Sequence, residues 1–61
     1  MLELNKNGNW YSIYVEYDGY GDTFKAHGKK ELNELITDLI HDCKIDEQYE
    51  LAGELEKMYI H

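Results

Sequence analysis

The chain predicts an α+β fold of two layers, a three-stranded antiparallel β-meander followed by two α-helices packed on one face of it (β-β-β-α-α). Three observations predict this. Turn-forming residues, Asn7-Gly8 and the glycines of "DGYGD", punctuate the first half of the chain. Apolar residues alternate with a period of two as far as Ala26, and beyond Lys29 they recur at helical spacing.

In "LELNKNGNWYSIYVEY" the Asn7-Gly8 pair is the strongest short hairpin cue, because a type I′ turn needs positive φ at both central positions. A two-residue turn there predicts strands over 2–5 and 10–17, with Asn5 facing Trp10, Leu4 facing Tyr11, Glu3 facing Ser12 and Leu2 facing Ile13. Leu2, Leu4, Tyr11, Ile13, Val15 and Tyr17 then share one side of the sheet. A second turn in "DGYGD", at Gly19-Tyr20 or spanning Asp18 to Gly21, predicts a third strand over 23–27. In that strand Phe24 faces Val15 and Ala26 faces Ile13, again on the same side.

From Lys29 the period changes. Leu32, Leu35, Ile36, Leu39, Ile40 and Cys43 follow i, i+3, i+4, i+7, i+8 and i+11, which predicts an amphipathic helix over 29–43 with Gly28 as N-cap and Glu31 at N3. Lys44-Ile45 reads as a short break. Asp46 is the expected N-cap of a second helix over 47–60, whose inner stripe is Leu51, Ala52, Leu55, Met58 and Tyr59 with Tyr49 at its margin. His61 ends the sequence and is expected to fray.

Sixty-one residues predict a single domain near the lower size limit for unaided folding, with little room for a catalytic cleft. One cysteine forms no internal disulfide, no apolar run approaches the ~20 residues that cross a bilayer, and the first residues lack the pattern of a signal peptide. A cytoplasmic location without membrane attachment is therefore expected.

Charge is the most informative feature. Thirteen acids oppose six basic residues, all of them lysine, for a net charge of −7. Direct nucleic-acid binding is disfavoured, since phosphate recognition leans on arginine and an acidic protein repels a polyanion. The imbalance is also local. Residues 1–30 hold four acids and four lysines, whereas residues 31–61 hold nine acids against Lys44 and Lys57, so the whole net charge falls on the helical half. Glu31, Glu34, Asp38 and Asp42 repeat at i, i+3, i+7 and i+11, and Glu47, Glu50 and Glu54 at i, i+3 and i+7, placing an acidic ridge on each helix opposite its apolar stripe. Like-charged i, i+4 pairs such as Glu34 with Asp38 cost roughly 0.2–0.5 kcal/mol each, a cost that interspersed lysines would offset. Such ridges suit a basic partner that evolved to hold phosphates; the other reading is that they serve solubility alone.

The second sheet face is the other unusual surface. Trp10, Ser12, Tyr14 and Glu16 alternate with the core positions, and the expected pairings put Lys25 beside Tyr14 and His27 beside Ser12. With two helices available for one face, this one is expected to be open, so that Trp10, Tyr14 and Lys25 form either a partner-binding or homodimer patch or simple cross-strand packing. Free outer edges on the meander offer a second route to a dimer.

Material for catalysis is scarce: Ser12 is the only serine and lies mid-strand, and "DGYGD" lacks the lysine and following helix of a phosphate loop. His41 with Asp38 and Asp42 sits on a helix surface while Cys43 points inward, so neither a metal site nor any cofactor is expected. In size, charge and style the chain resembles the small inhibitors that bacteriophages and mobile elements direct against host nucleic-acid enzymes, including anti-CRISPR and DNA-mimic proteins, a likeness carried by no diagnostic motif. The resemblance implies a non-enzymatic inhibitor or regulator that binds a basic, nucleic-acid-handling protein. The alternative expectation is an antitoxin-like or structural module that dimerises through its open sheet face.

Overall fold

Turn chemistry and alternation produce three strands, β1 (Leu2–Asn7), β2 (Trp10–Tyr17) and β3 (Tyr20–His27), and helical periodicity produces α1 (Gly28–Ile45) and α2 (Tyr49–Glu56). The computed structural model describes residues 1–60; His61, and with it the expectation of a frayed end, lies outside the described residues. The sheet is an antiparallel meander in the order β1-β2-β3, and the helices cover one face of it, as the α+β expectation required. Tyr11, Ile13, Val15 and Ala26 from the strands meet Leu32, Ile36, Leu39, Ile40 and Cys43 of α1 and Leu51, Ala52 and Leu55 of α2 in one buried core.

Both turns differ in position from the sequence expectation. The first centres on Gly8-Asn9, and of these two only Gly8 has positive φ, at 63°, the pattern of a type II′ turn with glycine first. The second centres on Asp18-Gly19, where φ values of 52° and 81° match type I′. Each register is thereby displaced by two residues: Leu4 faces Ile13, Leu2 faces Val15, Phe24 faces Ile13 and Ala26 faces Tyr11. A displacement of two preserves every side chain's face, so the expected core survives an incorrect pairing. The observed register lengthens both ladders, β1 reaching Asn7 and β3 beginning at Tyr20, and it lets Met1 pair with Glu16 through a 2.9 Å backbone hydrogen bond.

The strand-to-helix passage needs no loop. His27 is extended (φ −104°, ψ 111°) and is the N-cap; Gly28, expected in that role, is the first residue of α1 and turns the chain with φ 85°, open to glycine at little cost. The Gly28 N–H donates to the Asn9 carbonyl at 2.8 Å, tying this joint to the first turn.

Asp46, expected to start the second helix, ends the first instead. Glu47 takes φ 60°, its N–H donates to the Lys44 carbonyl at 3.1 Å and the Gln48 N–H to the Cys43 carbonyl at 2.7 Å, the two bonds of a Schellman motif. Glycine usually fills the left-handed position, and an L side chain there costs roughly 1–2 kcal/mol. Glu47→Gly is therefore expected to raise stability by about 1 kcal/mol, read as a higher urea midpoint at constant slope. Gln48 is the N-cap of α2, and the helix closes at Glu56, short of the expected residue 60. Tyr49 is exposed rather than marginal to the core.

The segment after α2 is held from the side by Asn33. Its amide donates to the Ile60 carbonyl at 2.7 Å and accepts from the Ile60 N–H at 3.0 Å, reproducing a strand-like pair, and the Thr37 and Tyr59 hydroxyls meet at 2.7 Å. Two partly buried hydrogen bonds contribute roughly 0.5–1.5 kcal/mol each, so Asn33→Ala is expected to cost about 1–3 kcal/mol and to release the Ile60 amide to fast hydrogen exchange.

Candidate functional site: the anionic flank of the first helix

α1 has two flanks beside its buried stripe. Asn33, Thr37 and Lys44 lie on the flank that meets α2 and the segment after it, through the contacts to Ile60 and Tyr59 and an ion pair between Lys44 and Glu56 at 4.0 Å. Helical periodicity puts Glu31, Glu34, Asp38 and Asp42 on the opposite flank, and all four are exposed. The Lys44–Glu56 contact is the single salt bridge among the described residues, so no lysine from the strands reaches over to neutralise the ridge. Lys6 lies over the Tyr11 ring, 5.7 Å from its centroid. Among the described residues, Glu31 is the one member of the row with a hydrogen-bond partner, accepting from the His27 N–H across a long 3.5 Å.

The second ridge does not extend the first. Glu50 and Glu54 border a depression with Met1, Leu2 and Glu16, on the β1 side of the molecule, whereas Asp42 borders one with Tyr20, Asp22 and Phe24 on the β3 side. β1 and β3 are opposite edges of the sheet. Glu47 leaves the expected ridge altogether, since it precedes α2. Of the seven acids read from sequence as one docking set, six thus form two groups on different sides of the molecule, four on α1 and two on α2, of which the α1 group is the longer and more regular.

Tertiary folding adds acids that helical spacing did not reveal. The hairpin residues Asp18 and Asp22 stand across a groove from Asp42 and Asp46 at the end of α1. The groove encloses about 610 Å³ over a floor that includes Val15, Phe24 and Leu39. The Tyr17 hydroxyl donates to Asp46 Oδ2 at 2.7 Å and latches the end of β2 to the end of α1. That bond to a carboxylate, followed by desolvation and the Asp46 charge, lifts the Tyr17 phenol from 10.0 to about 12. Because the folded value lies above the unfolded one, the latch contributes fully below pH 10 and is lost as pH rises through about 12. Asp46→Asn is expected to return Tyr17 toward the ordinary tyrosine value, measured by NMR titration of its ring carbon. Burial first, then Asp42 and Asp46, push the Cys43 thiol up, so it stays protonated and packs as a small hydrophobe.

On the other side, the second sheet face carries Trp10, Tyr14 and Lys25 away from the helices. Trp10 is 53% exposed and packs at 4.9 Å on His27, its cross-strand neighbour, while Lys25 pairs with Ser12 and not with Tyr14 as expected. Tyr14 lies over Gly21, where a Cβ would collide with its hydroxyl, and donates to Glu16. That hydrogen bond, chiefly, raises its pKa.

Among the described residues no three His, Cys, Asp or Glu side chains converge as metal ligands, and no helix is long and apolar enough to cross a membrane. Comparison with known proteins leaves the reading to the residues themselves: no family model, no curated protein and no solved structure matches this chain significantly.

Proposed function

We propose that this protein is a non-enzymatic binding protein that docks on a basic, nucleic-acid-handling partner and inhibits or regulates it, with the α1 flank as its contact surface. One observation carries the reading: Glu31, Glu34, Asp38 and Asp42 form an exposed row without a salt-bridging lysine among the described residues. Successive members of such a row stand about 5–6 Å apart at Cβ, a spacing of negative charge comparable to that of a phosphate backbone. A site built for phosphates is then attracted to the row, and occupying it excludes the nucleic acid. Affinity purification from the native host at low and high ionic strength tests this. Capture of a basic protein that falls away as salt rises is the expected result, and retention indifferent to salt counts against it.

A second reading has its own observation, the 53% exposure of Trp10 on a sheet face that the helices leave uncovered. It makes the protein an antitoxin-like or structural module that dimerises through Trp10, Tyr14 and Lys25. Sedimentation of the wild type over a range of concentrations, beside Trp10→Ala, separates the two. A concentration-independent monomer removes the dimer.

A further inference from the structure

The groove at the carboxyl end of α1 joins features that the row of helix acids lacks. Its floor is apolar, Tyr20 and Ile45 stand at its lips with 79% and 66% of their surface exposed, and aspartates 18, 22, 42 and 46 surround it. An exposed tyrosine beside an exposed isoleucine over an apolar floor leaves hydrophobic area that a partner side chain would bury. The charge around that area has one sign. Among the described residues no lysine lies within 4.0 Å of these four aspartates. The helix adds to the field, because the negative end of its dipole is at Asp46 and only Lys44 in the last turn opposes it. A volume near 610 Å³ is within the roughly 300–1,000 Å³ usual for ligand clefts.

We propose that this groove is the specificity pocket of the docking surface, taking an arginine and an adjacent apolar side chain from an extended segment of the partner protein. The inference rests on the proposed anionic docking role and names what that role selects. Arginine suits the groove better than lysine for two reasons. Its planar guanidinium lies flat on a phenol ring such as that of Tyr20, and its fork of donors bridges two carboxylates at once. The latch from Tyr17 holds the Asp46 carboxylate in place, so part of the acceptor set is ordered before the partner arrives. The neighbouring apolar side chain then covers the floor at Phe24 and Leu39.

The test uses the isotope-labelled full chain and three short capped peptides, one alternating arginine with leucine, one of lysine alone and one alternating glutamate with leucine. The expected result is that the arginine-leucine peptide shifts the amides of Tyr17, Tyr20, Phe24 and Ile45 and binds about tenfold more tightly than oligolysine. Tyr20→Ser and Ile45→Ser change exposed residues that the core does not use, and each is expected to reduce that peptide to the affinity of oligolysine. If oligolysine binds as well as the arginine-leucine peptide, or the shifts fall only on Glu31, Glu34 and Asp38, the pocket is overturned and the anionic row stands. If the glutamate-leucine peptide enters the groove equally well, the site is merely apolar and the inference fails. If neither cationic peptide binds, the pocket and the anionic docking role fall together.

Discussion

Ile13→Ala is expected to remove most of the stability of this domain. Ile13 is fully buried, faces Leu4 on one neighbouring strand and Phe24 on the other, and points into the helix layer. Truncating a buried isoleucine to alanine costs about 2–5 kcal/mol, through lost transfer energy and the cavity left behind. A chain of 61 residues has a total of roughly 3–9 kcal/mol at the usual 0.05–0.15 kcal/mol per residue. The variant is therefore expected to melt about 10 °C or more below the wild type, and its urea midpoint to fall with the slope unchanged. Tyr20→Ala, at a position 79% exposed, serves as the control and is expected to stay within about 0.5 kcal/mol. Equal losses from the two substitutions would mean that the packing centre lies elsewhere.

The triple variant Glu34→Gln, Asp38→Asn, Asp42→Asn is expected to change stability and binding in opposite directions. It removes two repulsive i, i+4 contacts, worth roughly 0.2–0.5 kcal/mol each, and a carboxylate from the last turn of α1, where the dipole disfavours it by about 0.3–1 kcal/mol. The fold gains about 1 kcal/mol by that sum, visible as a higher melting temperature. Association with the basic partner that the proposed function expects should weaken by about tenfold or more and lose much of its salt dependence. A surface kept only for solubility moves the first quantity without the second. A gain in stability with unchanged association would sink the docking role.

The architecture was legible because its strongest signals are periodic. Alternation through Tyr11, Ile13, Val15 and Tyr17 and the heptad-like spacing from Leu32 to Cys43 each report which face is buried, and neither depends on where a turn is centred. Hairpin register was not legible, since Gly8 closes a turn equally well from the first or the second central position, and only the length of ladder formed on either side decides between them. The end of α1 was misplaced for a different reason. Its left-handed cap is Glu47, and without glycine at that position the sequence carries no stop signal, so Asp46 looked like a start. The candidate site was half visible: helical spacing exposes the α1 row, but the approach of Asp18 and Asp22 to Asp42 and Asp46 depends on how a hairpin lies against a helix end.

The division of formal charge between the two layers carries a kinetic consequence. With Lys29 and Lys30 in α1, residues 28–61 carry nine acids against four lysines (−5) and residues 1–27 carry four acids against two (−2). The helical layer thus holds the larger share of the negative charge, and the domain is a permanent electric dipole. Near a positively charged surface it experiences a torque that rotates the helices forward before contact, so fewer collisions are wasted on the wrong orientation. Arrival would then be pre-aligned, and dilute salt would slow the landing well before it loosened the grip.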